Sequence, residues 1–459
     1  MSETFVVIGG DAAGMSAASK AKRDRPDLDV IVFEKGEWVS YGACGMPYYV
    51  KGEIDSLDDL VSVTPDQFRE ERDVDLRLNH EVVGIDPEGE TVTVETDGET
   101  FEQAYDHLLV ATGARAIEPP FEGMDLDGVY TMHDMDAAGE LRSVLDERED
   151  LESVAVVGGG YIGIEMAEAF RERGLDVHLF EMLPHVLQPF GETVAETVED
   201  HLVEEGVDMH LETAVEGFLG EASVDAVDVG DEQFPADLVL VGVGVAPNSE
   251  LAEEAGIEVG PTGAVATDEY GRTNYENVFA AGDCAEARNV VTGDPDHVPL
   301  ALTANRAGRA IGQTVAGDPT PTGDIAGTAV VKAFDLEAAR TGVIDHDAAE
   351  EAGFDPVSQT ITSASRAHYY PGAEDLTVTL TADRESGKLL GASIVGREGA
   401  AKRIDTVATA LHNDNTVEEV EYLDLAYAPP FSPVWDPVLT AAKVLNGKLE
   451  KLTAEPAGD

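Results

Sequence analysis

The chain has 459 residues, with 92 Asp plus Glu against 29 Lys plus Arg, and this formal net charge of −63 at pH 7 argues against nucleic acid as a partner. A hydrophobic fraction of 43% excludes a disordered chain, and the length predicts two to four domains. Because the acidic residues are dispersed rather than gathered in a tail, we interpret them as adaptation to a salt-rich cell, where screening weakens self-repulsion.

The first residues give no sign of a targeting sequence. An apolar run at residues 5–8 follows Met1 without the basic region or cleavage site of a signal peptide, and no apolar stretch approaches the roughly 20 residues that cross a bilayer. We therefore expect a cytoplasmic protein without membrane contact. Only Cys44 and Cys284 are present, so the sequence predicts neither a disulfide framework nor a metal site.

A strand followed by a glycine turn occurs twice. Residues 5–8 run into the turn Gly9-Gly10-Asp11-Ala12-Ala13-Gly14, and residues 154–157 run into Gly158-Gly159-Gly160-Tyr161-Ile162-Gly163. Each turn leads into a helical segment and then into a second apolar strand that ends in an acid, Glu34 or Glu181. Glycines let a pyrophosphate approach the N–H groups of a helix N-terminus, and the acid meets a ribose hydroxyl. The repeat therefore predicts two dinucleotide-binding folds.

Further strands end in tight turns along the chain. Residues 108–113 end in Thr112-Gly113, residues 240–248 contain Gly244, and residues 273–283 end in Gly282-Asp283. After the Pro- and Gly-containing segment 319–323 the pattern changes to alternating strands, such as residues 376–380, with a later helix near 404–411. A separate C-terminal domain is predicted to start near Ile325.

Together these motifs resemble the flavin- and pyridine-nucleotide-dependent disulfide oxidoreductase superfamily over nearly the whole chain. The resemblance implies an α/β protein with two Rossmann-like folds, the second inserted in the first, and a C-terminal α+β dimerisation domain. On this basis the FAD-binding domain comprises residues 1–116 and 246–322, the NAD(H)-binding domain residues 117–245, and the dimerisation domain residues 325–459. It also implies a homodimer whose active site is shared across the interface.

The resemblance assigns the cofactor contacts as well. For FAD they lie in the first glycine turn, after the second strand and in two later turns: Gly9, Gly10, Ala12, Ala13, Gly14, Glu34, Lys35, Thr112, Gly113, Gly282 and Asp283. For NAD they are Gly158, Gly160, Tyr161, Ile162, Gly163, Glu181 and Gly244. No Lys or Arg lies between Arg173 and Arg272, and Glu181 would repel a 2′-phosphate, so we expect NADH rather than NADPH.

Residues 40–49, Ser-Tyr-Gly-Ala-Cys-Gly-Met-Pro-Tyr-Tyr, look like the single-cysteine signature of coenzyme A-disulfide reductases and related NADH oxidases. Glutathione-reductase-like members carry a second cysteine where Tyr49 stands. Pro47 predicts a helix whose N-terminus would lower the pKa of the Cys44 thiol, whereas Cys284 is interpreted as structural. Relatives place two tyrosines of the partner subunit at the cysteine, and local motifs match them to Tyr369 and Tyr427.

Four cations lie at positions 20, 22, 23 and 25, which indicates an anionic ligand in so acidic a chain. Relatives bind coenzyme A along this helix, and the matching residues are Lys20, Arg23, Ser40, Arg72 and Asn305. The alternative is an ordinary helix C-terminus, whose dipole favours cations. Many relatives also have Lys before the Asp-Pro of the C-terminal motif, where this chain has Trp435.

We therefore expect an FAD-dependent enzyme that uses NADH to reduce a low-molecular-weight disulfide, coenzyme A disulfide first, through Cys44. One alternative is an NADH oxidase that reduces oxygen through a Cys44 sulfenic acid. Another is a persulfide reductase, although the sequence ends at Asp459 without the sulfurtransferase-like domain of some such enzymes. A reductase that feeds a protein partner, or a sensor in which FAD is structural, would not depend on Cys44.

Overall fold

The computed structural model describes residues 3–454. The first part of the chain, up to residue 116, contains β1 (Thr4–Ile8), α1 (Ala12–Asp24), β2 (Asp29–Phe33), α2 (Met46–Lys51), α3 (Pro65–Glu70), β3 (Asp75–Arg77), β4 (Glu81–Asp86), β5 (Thr91–Thr96), β6 (Glu99–Ala104), β7 (His107–Val110) and β8 (Ala114–Ala116). Short 3₁₀ turns cover Ala43–Gly45 and Leu57–Leu60.

The next part, up to residue 247, contains β9 (Val129–Thr131), α4 (Met135–Glu147), β10 (Ser153–Val157), α5 (Tyr161–Glu172), β11 (Asp176–Phe180), α6 (Glu192–Glu204), β12 (Val207–His210), β13 (Gly217–Leu219), β14 (Ala226–Asp228), β15 (Gln233–Pro235), β16 (Leu238–Val241) and β17 (Val245–Pro247), with a 3₁₀ turn at Gln188–Phe190.

The remaining elements are α7 (Glu250–Glu254), β18 (Val278–Ala280), β19 (Ala287–Arg288), β20 (Pro295–Asp296), α8 (Ala301–Val315), β21 (Ala329–Ala333), β22 (Leu336–Gly342), α9 (His346–Glu351), β23 (Pro356–Ala364), β24 (Asp375–Asp383), β25 (Leu389–Gly396), α10 (Ala400–His412), α11 (Val417–Glu421) and α12 (Pro437–Ala454).

Two five-stranded parallel sheets form the cores of the two Rossmann-like folds, and their strand orders are β18-β7-β1-β2-β3 and β12-β11-β10-β16-β9. Strands β1 and β10 are central in their sheets, and each buries its last four residues. A strand covered on both faces needs such a continuous apolar run, which explains the runs at residues 5–8 and 154–157. The predicted pair of dinucleotide folds is confirmed.

Two crossing segments join the first fold to the second. Strand β8 leaves the first fold and β17 returns to it, and the two pair antiparallel with Val245 opposite Ala116. The domain limits predicted at residues 116/117 and 245/246 fall at this pair, and they stay predictions. The outer limits of the predicted domains include residues 1, 2 and 455–459, which lie outside the described residues.

The C-terminal part is an antiparallel sheet with helices, in the strand order β21-β22-β25-β24-β23. Strand β25 is buried along its whole length, because α10 packs against it inside the core. Helix α10 covers the predicted helix near residues 404–411. The predicted architecture of two Rossmann-like folds and an α+β domain is confirmed. Within residues 3–454 no helix is both long and apolar enough to cross a membrane.

Helix α2 ties the three parts together. Its Met46 and Val50 are buried in the same apolar cluster as Ile164 of α5 and Val331 of β21. The segment that carries Cys44 is therefore anchored against the second fold and the C-terminal domain as well as its own fold.

Candidate active site

The first glycine turn is closely packed against the backbone that surrounds it. Gly9 has φ +107, and a Cβ there would lie 2.1 Å from the carbonyl oxygen of Ala111. A Cβ on Gly14 would lie 2.0 Å from the carbonyl oxygen of Gly9. Ala12 and Ala13 then begin α1, whose first turn is capped by no side chain. The turn therefore presents free helix N–H groups, as binding of a pyrophosphate requires.

Glu34 follows β2 and holds the turn in place. Its Oε2 accepts the N–H of Gly10 at 2.7 Å and its Oε1 accepts that of Gly36 at 2.8 Å, while Lys35 between them is exposed. The carboxylate thus lies directly beside the glycine turn, and its contact with the FAD ribose stays a prediction.

The turn at Gly282-Asp283 lies against the start of α1. Gly282 has φ +87, and a Cβ there would lie 3.2 Å from that of Ala13. Among the described residues, none donates a hydrogen bond to the Asp283 carboxylate, and burial raises its pKa. Such an unpaired acceptor suits a ligand hydroxyl. With the open α1 terminus, it makes this end of the fold fit FAD.

Thr112 and Gly113 lie where the chain leaves the first fold. The Thr112 hydroxyl donates to the carbonyl oxygen of Asn248 at 2.6 Å, and the Asn248 side-chain amide donates back to that of Thr112 at 2.9 Å. Gly113 has φ +68 with open space around it. This reciprocal pair links the outgoing and returning crossing segments beside the FAD turn.

The second glycine turn repeats this geometry. A Cβ on Gly158 would lie 2.4 Å from the carbonyl oxygen of Gly242, and one on Gly163 would lie 1.9 Å from that of Gly158. Gly160 has no atom within 4 Å of its added Cβ, and Tyr161 and Ile162 begin α5 behind it. The open space at Gly160 fits the pyrophosphate of a second dinucleotide.

Glu181 occupies in the second fold the place that Glu34 has in the first. Its Oε2 accepts the N–H of Gly159 at 2.7 Å and its Oε1 that of Leu183 at 2.9 Å. Gly244, with φ +114, lies in the turn between β16 and β17, where a Cβ would contact Ile117 at 3.7 Å. The carboxylate therefore stands fixed at the end of β11, where a nucleotide ribose would lie.

Cys44 lies in the 3₁₀ turn directly before α2, and it is exposed. Two hydrogen bonds fix its segment to the FAD turn: the N–H of Ser40 donates to the carbonyl oxygen of Gly10 at 3.0 Å, and the N–H of Tyr41 donates to Oδ1 of Asp11 at 3.1 Å. In a Gly-x-Gly-x-x-Gly turn Asp11 holds the position of the middle glycine. Its side chain therefore connects the glycine turn to the segment of the cysteine.

The expectation of a lowered thiol pKa is wrong for the protein without ligands. Burial raises the pKa of Cys44, and the carboxylates of Glu165 and Asp283 raise it further. Although the residue is exposed, enough protein surrounds the sulfur to disfavour its charge. A backbone hydrogen bond at the sulfur lowers the pKa, but it does not offset these effects.

Sequence reasoning missed Glu165. Tyr48 of α2 donates a hydrogen bond from its hydroxyl to Oε1 of Glu165 on α5 at 3.0 Å. Burial raises the pKa of Glu165 to about 7. The signal in the sequence is its spacing, because Glu165 lies four residues after Tyr161 and therefore on the same helix face, behind the second glycine turn.

Glu168 was missed as well. Its side chain is 4% exposed, and Oε1 lies 2.7 Å from Nζ of both Lys51 and Lys332. Its Oε2 accepts the N–H of Phe334 at 2.6 Å. One buried carboxylate on α5 therefore joins the end of α2 to the C-terminal domain. A pair this distant in sequence leaves no local pattern.

The two predicted tyrosines lie together on the C-terminal domain. Their hydroxyl groups are 3.1 Å apart, and Tyr369 and Tyr427 are 64% and 45% exposed. The contacts found for the pair are with residues of the C-terminal domain, such as the ring of His368 against Tyr369. Within one chain, then, they form a surface pair.

The predicted substrate residues line the exposed side of α1 and α8. The hydroxyl of Ser16 on α1 donates to Oδ1 of Asn305 on α8 at 2.6 Å, and Arg72 donates to the hydroxyl of Ser19 at 2.8 Å. The ammonium of Lys20 pairs with Asp24 at 2.6 Å, and Arg23 is exposed. Ser40 lies at the other end of this strip, in the Cys44 segment, with φ 50.

Cys284 is fully buried, and its thiol donates to the carbonyl oxygens of Val110 and Ala281 at 3.5 Å each. Burial raises its pKa. Its interpretation as a structural cysteine agrees with this placement. Cys44 is therefore the one exposed thiol of the chain.

Comparison with known proteins covers nearly all of the chain. The chain is 40% identical over 447 residues to the NAD(P)H coenzyme A polysulfide/persulfide reductase of Pyrococcus horikoshii, which spans 97% of this chain and 99% of the relative. It is 35% identical to an NADH oxidase of Methanocaldococcus jannaschii, over 97% of this chain and 99% of the relative. It is 30% identical to a coenzyme A disulfide reductase of Staphylococcus haemolyticus, over 93% of this chain and 96% of the relative.

Among solved structures, an NAD-dependent persulfide reductase from A. fulgidus superimposes with a TM-score of 0.94 at 38% identity, covering 98% of this chain and 84% of the other. The model of the pyridine nucleotide-disulphide oxidoreductases matches residues 3–308, and that of their dimerisation domain matches residues 328–437. With both glycine turns, the crossing segments and the C-terminal domain in place, the chain belongs to the pyridine nucleotide-disulphide oxidoreductase family.

Proposed function

We propose that this protein is an FAD-dependent reductase of sulfur–sulfur bonds that takes electrons from NADH and acts on coenzyme A disulfide through Cys44. The observation that carries the proposal is the attachment of an exposed single cysteine to the FAD turn through Ser40 and Tyr41. Since Tyr49 stands where a second cysteine would be, the substrate must supply the other sulfur.

The reaction consumes one NADH, one proton and one disulfide, and it gives NAD⁺ and two thiols. The Cys44 thiolate attacks one substrate sulfur, so that a Cys44–substrate disulfide forms and the first substrate thiolate leaves. The first glycine turn, Glu34 and Asp283 would hold FAD, which would supply the two-electron chemistry that connects NADH to that disulfide. The bond to Cys44 then breaks, the second thiolate leaves, and the thiolate of Cys44 is restored.

The residues of the chain control the protons and charges of this cycle. Burial disfavours a free thiolate at Cys44, and the carboxylate of Glu165 disfavours it further. With a pKa of about 7, Glu165 can take up the thiol proton near neutral pH, while the Tyr48 hydroxyl holds its Oε1. We therefore add Glu165 to the site as the group that stores this proton.

Tyr369 and Tyr427 donate protons to the departing thiolates, and they do so from the partner subunit of a homodimer. The support is the matched dimerisation domain and the row of exposed aromatic side chains around the pair, among them Phe431 at 78% and Trp435 at 50% exposure. A face this apolar is typical of a surface that a second copy covers.

The strip of Lys20, Arg23, Ser40, Arg72 and Asn305 binds the phosphates of coenzyme A. Arg23 is exposed, and Asn305 keeps its amide nitrogen on its own helix, donating to the carbonyl oxygen of Ala301 at 2.9 Å. NADH is favoured over NADPH because the fixed Glu181 carboxylate meets the ribose and repels a 2′-phosphate.

A persulfide of coenzyme A is the second candidate substrate, because it offers Cys44 the same sulfur–sulfur bond. The names of the relatives from Pyrococcus horikoshii and A. fulgidus favour it. An NADH oxidase is the alternative that the Methanocaldococcus jannaschii relative keeps open.

The test is anaerobic oxidation of NADH by the yellow protein in molar KCl, with coenzyme A disulfide or coenzyme A persulfide as acceptor. Cys44→Ser should keep its FAD and lose turnover, while the matched control Cys284→Ser should keep both. Full turnover by Cys44→Ser would refute the mechanism. No turnover with either acceptor, followed by fast consumption of NADH in air, would identify an oxidase.

A further inference from the structure

Arg403 lies under the loops that carry the two tyrosines. It belongs to α10, its side chain is 13% exposed, and its Nε lies 2.9 Å from Oδ2 of Asp436. Its Nη2 donates to the carbonyl oxygen of Ser365 at 2.7 Å and to that of Phe431 at 3.0 Å, and its Nη1 donates to that of Gly399 at 3.2 Å. One guanidinium therefore makes four hydrogen bonds, which join the start of its own helix to the chain near residue 365 and to residues 431–436.

The two carbonyl groups bound by Nη2 belong to the tyrosine loops. Ser365 lies four residues before Tyr369, and Phe431 lies four residues after Tyr427. Between these anchor points the loops are joined by the contact of the two tyrosine hydroxyl groups and by one backbone hydrogen bond, from the N–H of Ala367 to the carbonyl oxygen of Pro429 at 3.2 Å. Arg403 is therefore the one described side chain that donates hydrogen bonds to the backbone of both tyrosine loops.

Asp436 holds the guanidinium in its orientation. Its side chain is 11% exposed; Oδ2 also accepts the hydroxyl of Ser432 at 3.1 Å, and Oδ1 accepts the N–H of Val438 at 2.9 Å. A nearly buried ion pair adds little to stability but fixes geometry when its hydrogen bonds are complete. The planar fork of Arg binds Asp436 through Nε while Nη2 binds the two carbonyl groups, and Lys has only one nitrogen to place at these separate positions.

We propose that Arg403 is a positioning residue for the reaction: it holds the tyrosine loops at the separation at which Tyr369 and Tyr427 act as one proton-donating pair. This inference rests on the proposed function of the two tyrosines. Arg403 acts only through them and takes no part in the transfer of electrons from NADH.

The experiment compares Arg403→Lys and Arg403→Met with the control Lys402→Met, a neighbour on the same helix whose side chain is 84% exposed and pairs with Asp405. Each change is made in the wild-type chain and in a Tyr369→Phe, Tyr427→Phe background. Flavin absorbance and light scattering check FAD content and the dimer. Stopped-flow absorbance follows reduction by NADH and, separately, thiol release from a chromogenic mixed disulfide of coenzyme A and thionitrobenzoate.

In the wild-type background we expect Arg403→Lys to keep FAD and the dimer, to leave reduction by NADH unchanged, and to slow thiol release about 10- to 100-fold. In the tyrosine-free background the same change should slow thiol release less than about twofold, because coupled residues are not additive. Lys402→Met should have no effect. Arg403→Met should behave as Arg403→Lys does wherever it forms the dimer.

Equal slowing of thiol release in both backgrounds, or equal loss in both half-reactions, would overturn the assignment of Arg403 and leave the proposed function intact. If the two tyrosine changes alone leave thiol release unchanged while Cys44→Ser abolishes it, the role of the tyrosines fails, and that of Arg403 fails with it. Full turnover by Cys44→Ser would instead refute the proposed function itself.

Discussion

The carboxylate of Glu168 offers the sharpest test of how the three parts of the chain are held together. Glu168→Gln keeps the size of the side chain but removes the charge that two ammonium groups share. The new amide also has only one oxygen, so either the N–H of Phe334 or the two lysines must face an NH₂ group.

The expected loss of stability follows from what each partner keeps. Removing one member of a buried ion pair costs about 3–5 kcal/mol. Lys51 retains Glu53 at 2.8 Å and Glu172 at 3.0 Å, and Lys332 is 44% exposed and can regain water. We therefore expect the lower end of that range, about 3 kcal/mol. The matched control Glu172→Gln removes a 47% exposed partner of the same lysine and should cost less than about 1 kcal/mol.

Urea unfolding at constant KCl measures the difference, with circular dichroism and flavin release followed separately because several domains need not unfold together. At a slope near 3 kcal/mol per molar urea, Glu168→Gln should lower the midpoint by about 1 M. Midpoints of Glu168→Gln and Glu172→Gln that agree within error would show that the buried carboxylate does not join the three parts.

Four further outcomes are expected. Glu165→Gln should speed alkylation of Cys44 at a fixed pH below the thiol pKa, since it removes a charge that raises that pKa; unchanged alkylation–pH profiles would contradict this. Because folding raises the pKa of Glu165 to about 7, its contribution to stability should be lost as pH rises from about 4.5 to about 7, and pH-dependent unfolding of Glu165→Gln should lack that loss. Gly9→Ala should yield protein with little FAD, because its Cβ would overlap the carbonyl oxygen of Ala111, whereas Gly174→Ala, with open space, should retain FAD in absorbance spectra. The net charge of −63 should dissociate the proposed homodimer in millimolar KCl and spare it in molar KCl, and light scattering that shows equal dimer in both would count against salt adaptation.

Local patterns predicted what local geometry determines. The glycine turns, the strand-end acids Glu34 and Glu181, and the helix after Cys44 all follow from residues close together in the chain. For the protein without ligands the thiol pKa was predicted with the wrong sign, because burial of the sulfur and, after it, the carboxylates of Glu165 and Asp283 depend on segments distant in the chain. The links made by Glu168 and Arg403 are equally nonlocal, so neither left a motif.

Because Cys284 is buried, Cys44 is the one cysteine of the folded chain that a thiol reagent can reach. A thiol-directed spin label or dye should attach at one site per native chain and at two after unfolding. In a two-fold symmetric assembly, two labels report a single distance. In the proposed homodimer, labels on the two copies of Cys44 would therefore measure the distance between the two reaction centres. The measurement can be made in molar salt and needs no engineered cysteine.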